Sequence, residues 1–166
     1  YNPTGTLLWA TSIGGGLNDE GTSVVFAGGK LIAYGNWVKT TTLLSLTNFL
    51  GLTDNQRYLY LKSFNLDGTE AWSLVGGNTT NCYSERITAD ENNIYVVGDC
   101  SGSSFSWRRP LSVSVSPQTV ADTYPLLVSA ISHAGDPSWT HLINNPGGAQ
   151  KACNGVAVGC DGVYIT

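Results

Sequence analysis

Charged residues are scarce in this sequence: Asp, Glu, Lys and Arg make up 12% of the 166 residues, about half of the share in an average globular protein. Proteins that bind nucleic acids carry a basic stripe that meets the phosphates, whereas no Lys/Arg cluster here exceeds the Arg108-Arg109 pair. With a net charge of −4, the chain predicts no nucleic-acid partner. Glu, Lys and Arg also fill the exposed faces of helices, so their scarcity disfavours a helical fold.

Long apolar runs and Met are also missing. A membrane-spanning helix needs about 20 consecutive apolar residues, so the sequence predicts no membrane span. No signal peptide opens the chain, and Tyr1 is therefore expected to begin a processed or truncated polypeptide. The hydrophobic share is 42%, which together with the low charge disfavours disorder.

The abundant residues are Gly, Ser, Thr and Asn, which suit short strands joined by tight turns. They are arranged in a repeat, because Gly stands four residues before Trp9, Trp72 and Trp139, which are 63 and 67 residues apart. Each repeat predicts a Trp strand, then a hairpin of two strands, then a long variable connection and a fourth strand. The predicted strands are Leu7–Ile13 and Glu70–Val75, then Ser23–Phe26, Glu85–Ala89 and Gly155–Val158, then Leu31–Tyr34, Ile94–Val97 and Val163–Thr166, and last Tyr58–Phe64 and Leu126–Ile131.

Tandem units of four antiparallel strands are typical of β-propellers. The sequence therefore predicts an all-β, propeller-like chain with about two and a half repeats, at roughly 1–63, 64–130 and 131–166. Propellers have four to eight blades. Either the chain is part of a longer one, or copies complete each other, or the repeats form an open assembly.

The repeat resembles the bacterial β-propeller repeat family called SBBP. The resemblance is carried by a Gly-x-x-x-Trp strand, a Gly-Gly turn, an Ile-Tyr-Val-x-Gly strand and a following Phe, and it is best between Tyr60 and Phe105. It implies a propeller fold. Ala33-Tyr34 departs from the family pattern, as do the long connections 37–57 and 101–124. The matching residues are Gly68, Trp72, Gly76, Gly77, Ile94, Tyr95, Val96, Gly98 and Phe105, with Lys62 where the family often has Lys.

Four cysteines stand at positions 82, 100, 153 and 160, without a Cys-x-x-Cys pair. If Asn93 faces Ala89 across the hairpin turn, then Ile87 faces Tyr95, Glu85 faces Val97 and Cys82 faces Cys100. Facing Cβ atoms are close enough for a disulfide, which predicts an extracellular or cell-surface protein. The same frame places the partner of Cys153 just beyond Thr166, and a Cys153–Cys160 bridge is the alternative.

Other candidate sites are few. Asn78-Thr79-Thr80 is an N-glycosylation sequon, with an unmodified polar turn as the alternative. Trp9, Trp72 and Trp139 are expected to pack between repeats. Trp37 and Trp107 lie near the variable connections and are candidates for ligand binding, with burial as the alternative. No catalytic, cofactor or metal site is predicted, since His133 and His141 align with ordinary Leu positions.

These features predict a non-enzymatic, extracellular structural or adhesive propeller module, with assembly into a surface layer or fibre as one form of it. The alternatives are a carbohydrate- or protein-binding domain and a piece of a quinoprotein-like enzyme. The expected partners are other copies of the chain or missing blades of the same chain, and also glycans or surface proteins.

Overall fold

The computed structural model describes residues 1–15, 17–39, 52–78, 80–110, 114–119, 124–144 and 153–166. Within these ranges the fold is all-β without a helix, as predicted, and every strand pairing is antiparallel. The strands are β1 Glu20–Ala27, β2 Lys30–Val38, β3 Arg57–Phe64, β4 Glu70–Gly77, β5 Cys82–Ala89, β6 Asn93–Cys100, β7 Ser104–Arg108, β8 Ser114–Thr119, β9 Leu126–Ser132, β10 Pro137–Ile143, β11 Val156–Val158 and β12 Val163–Ile165.

The strands form two complete four-stranded units and the start of a third. Unit 1 consists of β1, β2, β3 and β4 in that order, and unit 2 of β5, β6, β9 and β10. Strands β11 and β12 form a separate hairpin, which corresponds to the first hairpin of units 1 and 2. The described strands do not close into a ring, and no helix among the described residues is long and apolar enough to cross a membrane.

Units 1 and 2 share the details of their strand pairing. A β-bulge follows Gly21 in β1, and the same bulge follows Ser84 in β5, 63 residues later. The second hairpins match as well, since Ser63 faces Trp72 in unit 1 and Ala130 faces Trp139 in unit 2, each beside a bulge. The sequence repeat is therefore also a structural repeat.

Both faces of each sheet are apolar, and successive residues of a strand serve different cores. Val96 lies in the main core between units 1 and 2, while Val97 lies in a second core between unit 2 and the β11–β12 hairpin. A third cluster covers the other face of unit 1 and contains Trp37, Tyr58 and Ile13. A four-stranded sheet of this kind cannot be stable alone, because each face needs a neighbouring layer.

Two strand predictions are wrong. The segment Leu7–Ile13 is not a strand. The Trp strands β4 and β10 each pair with the strand that precedes them in the chain. Among the described residues, no preceding strand is present to pair with Leu7–Ile13. The Trp strand thus ends a unit instead of beginning one. The connection after Cys100 was predicted without strands, yet it contains the β7–β8 hairpin, which pairs with β4 and extends the sheet of unit 1 to six strands.

The structure contains the predicted Cys82–Cys100 disulfide, although part of the predicted register is wrong. Near the turn Ala89 faces Ile94 and Ile87 faces Val96, one residue away from the prediction. A bulge at Glu85 then shifts the pairing back by one residue, so that Cys82 faces Cys100. The two departures cancel at the cysteines.

Removal of this disulfide should cost about 3 kcal/mol of unfolding free energy, because cross-linking residues 18 positions apart restricts the unfolded chain by about that amount. The comparison is urea unfolding of the wild type and the Cys82→Ala/Cys100→Ala double variant. A reductant should lower the unfolding free energy of the wild type to that of the double variant, and it should leave the unfolding free energy of the variant unchanged. Equal stability of both proteins under oxidising conditions would contradict the prediction.

Tyr34 connects the two units, since its fully buried hydroxyl donates a hydrogen bond of 3.0 Å to the carbonyl of Val97. Burial, and secondarily the neighbouring Glu85 and Asp99, raises the pKa of Tyr34 well above its ordinary value. At a pH where the phenol of the unfolded chain ionises, the phenol of the folded protein therefore stays neutral. The contribution of Tyr34 to the unfolding free energy is fully present below the unfolded pKa of about 10, and it is lost as the pH rises above that value.

Stability should accordingly fall above about pH 10, by up to about 1.4 kcal/mol per pH unit for this one group. Tyr34→Phe should have a shallower decline, while losing about 1 kcal/mol at neutral pH with its hydrogen bond. Urea unfolding between pH 8 and 11 measures both effects, with the exposed Tyr1→Phe as the matched control. The same slope in all three proteins would refute this role of Tyr34.

Candidate functional site: contacts between units and the two ends of the stack

Trp9 and Trp72 each lie against the turn that joins the last two strands of the next unit. The indole N–H of Trp9 donates to the carbonyl of Leu66, and that of Trp72 donates to the carbonyl of His133, both at 2.9 Å. The Trp9 ring also packs on Phe64, with centroids 5.7 Å apart. We call this arrangement the Trp–turn contact. It confirms the predicted packing role for Trp9 and Trp72.

The Gly of each turn is required by this contact. Gly68 and Gly135 have φ angles of +87° and +84°, which disfavour any other residue. A Cβ atom at Gly68 would stand 2.9 Å from the Trp9 ring, and one at Gly135 would stand 2.7 Å from the Trp72 ring. The Gly of the Gly-x-x-x-Trp motif therefore accommodates the Trp of the preceding unit and not the Trp of its own strand.

A third turn of the same geometry stands at the beginning of the chain. Gly5 has a φ of +83°, its N–H donates to the carbonyl of Asn2, and the N–H of Asn2 donates to the carbonyl of Thr6. These bonds match those at Gly68 and Gly135. No described atom beyond its chain neighbours comes within 4 Å of a Cβ built at Gly5. The Gly5 turn is thus formed but holds no indole.

Trp139 is the counterpart at the other end. It is 36% exposed and packs on Tyr95 and His141, with ring centroids 6.2 and 5.2 Å away. No described residue accepts a hydrogen bond from its indole N–H. The Tyr95 hydroxyl donates to Asp90 at 2.8 Å, and backbone N–H donors, chiefly that of Asn93, lower the pKa of the Asp90 carboxyl. Tyr95 is therefore held in place beneath the Trp139 ring.

Trp139 lines a cleft of about 740 Å³ between unit 2 and the β11–β12 hairpin. Tyr95, His141 and Ile143 line it from unit 2, while Val158 and Cys160 line it from the hairpin. The mixture of aromatic and apolar surface with a few polar groups is typical of binding sites. Comparison with units 1 and 2 indicates that the turn of a further unit would cover this cleft.

The two tryptophans predicted to bind ligands are both buried, which corrects that prediction in favour of its alternative. Trp37 is 3% exposed and packs on Tyr58, whereas Trp107 is fully buried and donates its N–H to Ser129 Oγ at 3.0 Å. Each lies on a strand, β2 or β7, and faces a core. Alternation of Ser with Phe105 and Trp107 was the sequence signal for a strand here.

The remaining cysteines do not form a bridge. Cys153 is buried and its Sγ donates to the carbonyl of Gly155, while Cys160 is exposed in the β11–β12 turn. Both are free thiols, so the alternative Cys153–Cys160 disulfide is wrong. Asn78, the sequon residue, is half-buried, and its side-chain amide donates to Ser104 Oγ. Its glycosylation stays a prediction.

One further polar depression, of about 200 Å³, is lined by Asn81, Tyr83, Asp99, Ser101 and Tyr124. It contains a single carboxylate. Across the ranges described, no group of three or more His, Cys, Asp or Glu side chains could hold a metal ion. The open ends of the stack therefore remain the stronger candidates for interaction.

Comparison with protein-family models, with curated proteins and with solved structures found no match for this chain.

The Trp–turn contact can be measured with two glycines of equal φ. Gly5→Ala should cost about 1–2 kcal/mol, which is the strain of a side chain in the left-handed region. Gly135→Ala should cost at least about 1 kcal/mol more, because its Cβ also overlaps the Trp72 ring. In a Trp72→Ala background this excess should disappear. Urea unfolding of the five proteins gives these values, and an equal cost at both glycines would contradict the assignment.

Proposed function

We propose that this chain is an extracellular, non-enzymatic structural or adhesive module whose units are blades of a β-propeller-type stack. The observation that carries the proposal is the Trp–turn contact, which occurs twice. In both cases an indole N–H donates to the carbonyl at the equivalent turn position, and the ring lies over the equivalent glycine. Repetition of one contact between successive units favours a protein whose role depends on stacking. The resemblance of the sequence to the SBBP repeat favours the propeller-type architecture within this proposal.

The Cys82–Cys100 disulfide supports the extracellular location, because structural disulfides persist in oxidising compartments. Export of the chain to an oxidising periplasm should therefore give a protein with two alkylatable thiols, those of Cys153 and Cys160, after unfolding. Expression in a reducing cytosol should give four. Intact mass after alkylation counts the thiols, and four in the exported, folded protein would contradict the extracellular assignment.

The adhesive role is tested with microbeads that carry the oxidised chain, flowed over surfaces coated with glycans, matrix proteins or nothing. We expect retention on at least one coated surface. A parallel assay with an added quinone cofactor and a redox dye should give no turnover. Retention on none of the surfaces, or dye reduction, would overturn the proposal.

A second candidate function is saccharide binding at the cleft of Trp139. Its support is the exposed indole beside Tyr95, since exposed aromatic rings are common binding platforms. A saccharide in the cleft should shift the Trp fluorescence of the wild type and not that of Trp139→Ala. The buried Trp37 and Trp107 no longer support this function.

A further inference from the structure

Exposed apolar side chains concentrate at the two ends of the stack. Of the ten large ones among the described residues, six lie within residues 1–26 and three within 139–164, and Leu66 alone lies between. Soluble proteins seldom leave grouped apolar surface without a partner. The exposed apolar side chains at the ends are Tyr1, Leu7, Leu8, Leu17, Val24 and Phe26 at one end, and Trp139, Ile143 and Tyr164 at the other.

The repeat identifies what covers such positions. Val24 and Phe26 of β1 are 65% and 60% exposed, whereas Ile87 and Ala89, their equivalents in β5, are partly buried against the main core. Strand β5 packs on unit 1 through β1, β2 and β3. The face of β1 that carries Val24 and Phe26 is therefore built to receive a preceding unit.

The same argument applies to the contact at the chain's beginning. Pro3 and Gly5 stand where Leu66 and Gly68 receive Trp9, and Tyr1 stands where Phe64 packs on the Trp9 ring. Trp139 stands where Trp72 donates to the next turn. Among the described residues, the Gly5 turn thus holds no indole and the Trp139 N–H has no acceptor. The two do not meet within one copy, because no described atom beyond the chain neighbours of Gly5 lies within 4 Å of a Cβ built there.

We propose that copies of this chain associate head to tail, with Trp139 of one copy seated on the Gly5 turn of the next. The indole N–H would donate to the carbonyl of Pro3, and the ring would cover Gly5 and pack on Tyr1. This contact uses different surfaces on the two copies, so it propagates into an open series or closes into a ring. The inference rests on the proposed stacking function and names its partner, a second copy.

The test is sedimentation velocity of the oxidised chain from about 1 to 200 µM, a range that spans weak to moderate protein association. The wild type should form concentration-dependent species larger than a dimer, or a closed ring. Trp139→Ala and Gly5→Ala should each weaken association at least roughly tenfold, the loss expected for a central contact. Leu66→Ala, which removes an exposed apolar side chain from the middle of the stack, should leave association unchanged.

A mixing experiment distinguishes this contact from others. Trp139→Ala retains the Gly5 turn, and Gly5→Ala retains Trp139, so the two variants together should form a 1:1 dimer and nothing larger. Gly5→Ala should fold, because the space around Gly5 is open; unfolding curves of both variants check this point.

Three results would overturn the inference. They are a wild type that is monomeric at all concentrations, association that both variants keep, and variants that fail to pair when mixed. A saccharide that shifts Trp139 fluorescence in a monomeric wild type would assign the cleft to carbohydrate instead. A monomer that is exported with its disulfide and retained on a coated surface would leave the proposed function in place, so the two failures are distinguishable.

Discussion

The fit of an indole over a glycine turn is the contact on which the stack depends. A hydrogen bond of this kind contributes about 1 kcal/mol net, and the buried part of the ring contributes more. Its larger effect is geometric, because Trp72 fixes where the turn at Gly135 lies relative to β4. That position in turn sets how the adjoining sheets pack on each other. The glycine cannot change without loss of the contact, which explains why Gly and Trp recur together while the residues between them vary.

Apolar residues on both faces of each sheet follow from the same constraint. Alternate residues of β6 enter different cores, as Val96 and Val97 do. Every added unit therefore buries one face and exposes another, and the last face always needs a cover. Edges need protection too, since unpaired strand edges promote aggregation. The β7–β8 hairpin, inserted from unit 2, pairs with β4 and protects that edge of unit 1.

The sequence allowed prediction of the all-β class, the repeat and most strands, because Gly, Trp and the alternating apolar runs recur at a fixed spacing. Register was less accessible. The turn after Ala89 and the bulge at Glu85 each shift the strand pairing by one residue. No residue type in the sequence indicates either shift. The candidate site was missed for a different reason. Trp139 has the same sequence setting as Trp72, and only the packing of neighbours reveals that one is covered and the other is not.

The first hairpins of units 1 and 2 are held together at the same end by two different kinds of bond. In unit 2 the open end of the β5–β6 hairpin is joined by the Cys82–Cys100 disulfide. In unit 1 the residue 63 positions before Cys82 is Asp19, whose carboxylate accepts a hydrogen bond of 3.0 Å from the N–H of Val38 at the end of β2. Both solutions hold the end of a hairpin together. Because a hydrogen bond suffices in unit 1, the fold itself does not demand a covalent bond in unit 2. A disulfide that supplements such a fold is useful only where thiols stay oxidised, and this makes it better evidence of environment than of architecture.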